Sequence, residues 1–265
     1  MFTHQSLSQL RSFFAKDPYN TSKLSGLIKY PQYIESLLVK LSTTDGPGAA
    51  AIQAYGQYHM YGIDEAASKG LIKDIFQKHP EEPVFFAGFP RSLLPYLQEN
   101  AEVLWNEPCR LYYLPDALPL EHLLQAREGG EALQQGEWSP PTVDDIPLIL
   151  EHWPFGDVDN PKDHIKIKKC LEGGLASGWR ESGHLKSWIF CHMDGSMGFM
   201  HTLESVRNRG LAQKVTADLA WKVRKSGARP YLFVVESNPG PLGLLKRLGF
   251  VASHERFVWL EAQGF

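Results

Sequence analysis

With 265 residues, 43% of them apolar and 22% charged, the chain can bury one large core or two ordinary ones, which excludes a disordered polypeptide. A net charge of −3 without any basic block argues against a nucleic-acid ligand. No apolar run approaches the ~20 residues of a membrane span, and no H-E-x-x-H or C-x-x-C pair suggests a metal.

Leu7, Leu10, Phe13 and Phe14 open the chain at helical spacing. This stretch has no acid before Asp17 and holds Arg11 and Lys16, a composition that mitochondrial leaders share. The separated cysteines Cys109, Cys170 and Cys191 point to reduced thiols and a cytoplasmic setting. Tyr33 to Leu41 again has helical spacing, and Thr43 to Gly48 is a break. Ala51 to Tyr61 alternates Ile52, Ala54, Tyr58 and Met60 with Gln53, Gln57 and His59, which predicts one half-buried strand. A helix follows from Asp64 along Ala67, Leu71 and Ile75 and ends before Pro80. Val84 to Ala87 predicts a strand, Arg91 to Asn100 a short helix, and Cys109 to Leu114 another strand.

Glu128 to Gly136 has linker composition. Beyond it, Asp144 as N-cap leaves Pro147 in the first turn of a helix carrying Ile146, Ile149, Leu150 and Trp153. A second helix spans Asp163 to Leu171, and a hairpin turning at Glu181-Ser182-Gly183 leads to Cys191. No internal repeat is visible.

The chemistry concentrates after Met193-Asp194-Gly195. Ser196 to Leu203 has strand length, followed by Arg207-x-x-Gly210-x-Ala212. Leu211, Val215, Leu219 and Val223 then mark an amphipathic helix that stops at Gly227. A glycine turn feeding a helix N-terminus presents unpaired N–H groups and the positive dipole end to an anion, and diphosphate is the natural guest. Gly210 admits close approach, and Arg207 and Arg209 add charge. Tyr231 to Val235 is an apolar run typical of a buried strand. Glu236-Ser237-Asn238, a turn, a short helix to Leu248, Gly249 and Phe250 follow, and then a last strand holding Phe257 to Leu260.

This order of strand, R-x-x-G-x-A, helix, strand, Asn, short helix and Leu-Gly-Phe resembles the GNAT acyltransferase superfamily over residues 140–260. Gly195-x-Met197, Thr202-Leu203 with Arg207, and His152-Trp153-x-Phe155-Gly156 make it most similar to the glycine N-acyltransferase family. The resemblance implies an α/β (α+β) protein: a GNAT fold with a mixed, mostly antiparallel sheet flanked by helices at 131–265, and an N-terminal α/β companion lobe at 1–130 without a cofactor site. It implies acyl transfer from acetyl-CoA or another acyl-CoA to a primary amine, such as glycine, by direct attack in a ternary complex. Backbone groups of Met200, His201 and Thr202 would hold the pantetheine arm, those of Asn208, Arg209, Gly210, Leu211, Ala212 and Gln213 the diphosphate, and Asn238 would touch pantetheine. Lys246 and Arg247 are placed to reach the nucleotide 3′-phosphate.

Two departures matter. Ser196 stands where that family has its glutamate base, and Leu245 where the superfamily often has an acid tyrosine. His201, Glu236 and Glu204 are the substitutes for the base, with His201 first because its intrinsic pKa is near neutral. The alternatives are an acyl-CoA-binding protein that has lost catalysis and a protein N-acetyltransferase.

Overall fold

A computed structural model describes residues 4–29, 33–42, 46–128 and 136–265. The linker expected at 128–136 falls mostly outside these residues, as do Thr43, Thr44 and Asp45 of the expected break. The chain forms two compact units, one of Met1–Tyr112, Val234–Pro239 and Ala252–Phe265, the other of Tyr113–Phe233 and Gly240–Val251.

The first unit begins with α1 (His4–Phe14), α2 (Ser22–Leu27), β1 (Ile34–Leu41), β2 (Pro47–Ala54), β3 (Gln57–Gly62), α3 (Glu65–Lys78), β4 (Val84–Pro90), α4 (Leu94–Asn100) and β5 (Ala101–Tyr113). Two sequence expectations are corrected here. Residues 34–41 form a strand, not a helix, because β1 pairs antiparallel along β2, with Leu37 opposite Ile52 and Leu38 opposite Ala51. Their i, i+3, i+4 pattern is real, and sheet pairing overrides it. Residues 51–61 are a hairpin, not one strand. Tyr55 and Gly56 take φ of 56° and 72°, as a tight two-residue turn requires, and Ile52 faces His59.

The second unit contains α5 (Leu120–Glu128), β6 (Glu137–Trp138), α6 (Ile146–Glu151), α7 (Pro161–Gly173), β7 (Ala176–Glu181), β8 (His184–Cys191), β9 (Met197–Thr202), α8 (Leu211–Lys225), the start of β10 (Tyr231–Val235) and α9 (Leu242–Arg247). The chain's last strand, β11 (Val251–Gly264), returns to the first unit, where Phe257 pairs with Pro90 and Leu260 with Phe86. The larger sheet therefore runs β1-β2-β3-β4-β11-β5-β10, and the smaller one β6-β7-β8-β9.

The element order α-α-β-β-β-α-β-α-β occurs twice, from α1 to β5 and again from α6 to β11. The repeat is topological and leaves no shared motif in the sequence. In the first unit α3 covers the sheet with Leu71, Ile72 and Ile75, against Phe86, Phe89 and Leu260. A second cluster joins Leu10, Phe13, Phe14, Leu24 and Leu27 of α1 and α2 to Ala50, Ile52 and Ala54. In the second unit Ile146, Ile149, Leu150 and Ile167 of α6 and α7 pack on Leu185, Trp188 and Phe190 of β8. Each such large side chain contributes about 2–3 kcal/mol by leaving water.

The start of α6 differs from expectation. The Asp145 carboxylate, not Asp144, organises it, accepting the Thr142 backbone N–H at 2.7 Å and the Arg180 guanidinium at 2.5 Å. Pro147 still occupies the first turn. Arg180 and Asp145 are nearly buried, and the guanidinium beside Asp145 holds its carboxyl below the usual range despite that burial.

Candidate functional site

The site is built on β9 and the turn after it. β9 ends the four-stranded sheet, so one of its edges has no ladder partner among the described residues. Its pairing with β8 slips between Trp188↔His201 and Phe190↔Gly198. The extra residue is Phe199, whose φ of 54° is in the left-handed region. A bulge of this kind turns a backbone group out of the ladder, and the strained conformation costs on the order of 1–3 kcal/mol. A free strand edge with a bulge in its middle can accept an extended amide-bearing ligand as an added strand.

The turn after β9 leads into α8 through Asn208 (φ 64°) and Gly210 (φ 77°). Successive residues of this type point their N–H groups into one concavity. Gly210 is the N-cap of α8 and no side chain caps this helix. A Cβ built on Gly210 would meet nothing within 4 Å, so the space in front of the helix is open. The opposite end carries Lys222, Arg224 and Lys225, which suits the dipole.

The topologically equivalent helix of the first unit, α3, is closed in the same place. Asp64 is its N-cap, its carboxylate accepts the Ala67 N–H at 2.8 Å, and that bond with one from Ser42 pulls its pKa down. A side-chain anion already occupies the position that stays open at α8. Elsewhere in this unit the buried Lys23 ammonium donates to the carbonyls of Ala87 (2.5 Å) and Gly88 of β4.

The expected residues fall as follows. Arg207 folds back onto β9, donating to the Thr202 carbonyl at 3.1 Å and to the Glu204 carboxylate at 2.9 Å. Arg209 pairs with Glu181 of β7 at 2.7 Å, and this pair lowers the Glu181 pKa. Both arginines brace the turn, which leaves the backbone amides and the dipole facing the opening. Thr202 shares a 2.7 Å hydroxyl bond with Ser187, and the Met200 sulfur accepts from Thr216 of α8 at 3.3 Å. Leu211 is buried beneath the helix start and Ala212 keeps its first turn small. Arg247 of α9 donates to the Gln213 side chain at 3.0 Å, which sets a guanidinium over the first turn of α8.

The three candidate bases belong to different units. His201 and Glu204 belong to the second unit, and the Glu204 carboxylate is solvated apart from Arg207. Glu236 and Asn238 belong to the first unit, where Glu236 meets Arg91 at 3.3 Å. His201 stacks on His152, 4.3 Å between centroids, and lies 5.0 Å from Trp188. Its Nε2 is buried with no hydrogen-bond partner. Burial, then His152 and the Arg207 cation, push its pKa down to about 4. The ring is therefore neutral at physiological pH.

Sequence reasoning missed three features. The first is a cavity of about 40 Å³ lined by Ile149, His152, Trp153 and Pro154 at the end of α6, Trp188 of β8, and Phe199 and Met200 at the bulge. The second is Asp194, whose Oδ1 accepts the Ser196 N–H (2.9 Å) and hydroxyl (2.6 Å) and whose carbonyl accepts the Tyr231 hydroxyl (2.7 Å). A carboxylate thus adjoins Ser196, the position where the family resemblance expects a glutamate. The third is His192, stacked on Phe199 at 4.2 Å and held near pH 4 mainly by burial. Leu245 is buried, so the acid tyrosine position carries no polar atom.

Comparison with known proteins follows from this geometry. Residues 173–260 match the family described as FR47-like protein. No curated protein matches the chain. Among solved structures, a Drosophila melanogaster protein is similar with a TM-score of 0.77 and 13% identity, covering 98% of this chain and 96% of that one. A GCN5-related N-acetyltransferase-like protein from Streptococcus suis has a TM-score of 0.55 and 12% identity, covering 97% and 98%. A tandem GNAT protein from the clavulanic acid biosynthesis pathway has a TM-score of 0.54 and 10% identity, covering 91% and 86%. The fold is the GNAT fold. No helix among the described residues is long and apolar enough to cross a membrane.

Proposed function

We propose that the chain is a GNAT-type N-acyltransferase that moves an acetyl or other acyl group from acyl-CoA to a primary amine. The observation that carries this reading is the contrast between α8 and α3: two equivalent helix starts, one closed by Asp64 and one left open by Gly210. The match of residues 173–260 to the FR47-like family and the likeness to a GCN5-related N-acetyltransferase-like protein support it.

The residues fit coenzyme A as a substrate. The amides from Asn208 to Gln213 would take the diphosphate, with Arg247 beside them for a further phosphate. The free edge of β9 at Met200, His201 and Thr202 would take the pantetheine amides. The bulge at Phe199 would offer a backbone donor to the thioester oxygen, where negative charge develops during acyl transfer. The amine nitrogen attacks the thioester carbon, the carbon–sulfur bond breaks, and the thiolate leaves with the electron pair. The nitrogen gives up a proton, and His201 and Glu204 of the second unit, acting through water, are the candidate acceptors. A neutral imidazole with a pKa near 4 is a weak base, so His201 relays a proton better than it holds one. The N-terminal lobe would act as a companion without a cofactor site, a reading that the Asp64 cap on α3 supports. A small amino acid such as glycine is the acceptor that the family resemblance implies.

A second reading is acyl-CoA binding without turnover. Ser196, Leu245 and the depressed His201 pKa favour it. Calorimetry with CoA on the wild type and on Gly210→Asp tests the site itself: binding is expected in the first and lost in the second while the fold persists. Equal affinity in both would remove the site. Thiol release from acetyl-CoA across a panel of amines then separates transfer from binding alone.

A further inference from the structure

We infer that the cavity at the bulge of β9 receives the acyl group and restricts it to a short aliphatic chain. This rests on the proposed acyl-CoA site. The cavity opens beside Phe199 and Met200, the residues at which β9 leaves its ladder with β8, so it adjoins the backbone that would face the thioester. Its walls are rigid rings. Trp188 is buried in the core of the unit, and Phe199 is held between Phe190 at 4.4 Å and His192 at 4.2 Å. Trp153 forms the outer wall, 4.9 Å from Phe199, with the Lys166 ammonium 4.7 Å over its ring. Ile149 closes the floor and is itself buried.

Volume decides the chemical class. A cavity of about 40 Å³ exceeds the ~10–15 Å³ that one water needs and falls far below the ~150 Å³ of a cavity that admits benzene. A methyl or ethyl group is enclosed by it; a phenyl ring or a hexyl chain must extend beyond it. The lining is apolar and aromatic apart from His152, so it favours a hydrocarbon tail over a carboxylated one. His152, the one polar side chain of the lining, is backed by the stacked His201 ring, which limits its movement away from a longer chain. Expansion is resisted because forcing extra methylenes into a packed site moves several side chains together.

The experiment is a calorimetric series on the full chain with CoA, acetyl-, propionyl-, hexanoyl- and benzoyl-CoA, repeated on Trp153→Ala and Trp153→Phe. CoA carries no acyl group, so each protein's CoA affinity is its own reference and the acyl-to-CoA ratio is what is read. In the wild type, acetyl- and propionyl-CoA are expected to match or exceed CoA, and hexanoyl- and benzoyl-CoA to be weaker by about tenfold or more. In Trp153→Ala the penalty for hexanoyl-CoA is expected to shrink to about threefold or less, with Trp153→Phe in between. A wild type that binds all five thioesters and CoA alike, or variants that keep the wild-type ratios, would overturn the acyl pocket while leaving the coenzyme A site intact. Absence of CoA binding to the wild type would overturn the site reading first and this inference with it.

Discussion

The imidazole of His201 lies flat against that of His152, with planes 11° apart and centroids separated by 4.3 Å. Burial, and then the neighbouring His152 and Arg207, disfavour a proton on the His201 ring. If His201 acts, it acts as a neutral ring. The pH–rate profile is therefore expected to lack an inflection near pH 6.5 and to rise with deprotonation of the amine. Nuclear magnetic resonance of the ring protons should place its titration near pH 4, as the structure does. An ordinary value near 6.5 would refute the neutral-ring account. His201→Ala is expected to lower turnover by about tenfold to a hundredfold, with a smaller effect on CoA affinity.

Asp64→Ala removes the carboxylate that closes α3. The expected result is a modest loss of stability, the usual consequence of losing an N-cap, read by urea denaturation. Because no R-x-x-G-x-A turn precedes α3, the variant is not expected to gain a second equivalent of bound CoA. A stoichiometry of two would mean that only the cap kept the first lobe silent.

Arg180 and Asp145 tie β7 to the start of α6, and α6 carries the Ile149 wall of the cavity. Removing one partner strands the other in a nearly dry site. Asp145→Ala is expected to cost about 3 kcal/mol, and the paired change to apolar residues much less. A double-mutant cycle in guanidinium chloride measures the coupling.

His192 and His201 both have folded pKa values near 4, below an unfolded value near 6.5. Between these limits the unfolded chain binds more protons, so stability is full above pH 6.5 and declines as pH falls toward 4. For the His192 ring the loss at pH 5 is about 1–2 kcal/mol. His192→Gln should flatten the fall in melting temperature between pH 7 and pH 5. An unchanged slope would show that other groups carry it.

The second half of the chain was the more legible. The α8 periodicity, the Gly210 turn and the caps at Gly227 and Gly249 are local signals, and they stand where they were expected, with φ of 77°, 76° and 85°. The first half was harder because its strands were marked by pairing alone. Nothing local to Ile34–Leu41 announces β2 as its partner, and the alternation from Ile52 to Met60 continues smoothly through the Tyr55-Gly56 turn. The topological repeat was hidden because the equivalent turns hold opposite chemistry, a carboxylate in one and a glycine in the other. At the site, backbone features could be read, since they follow from glycine and helix ends. The stacked histidines and the acyl cavity could not. They join residues 49 positions apart, and only the packing of α6 on β8 brings them together.

The place of β11 between β4 and β5 has a consequence for how the protein is made. The strand that fills the middle of the larger sheet is the last of its members to leave the ribosome. Until then β4 and β5 have a vacancy between them, and each presents an unsatisfied edge. Any fragment ending near residue 130 inherits the same gap. The early-synthesised lobe therefore matures only once translation has passed residue 260, and during elongation it is the part most in need of a chaperone.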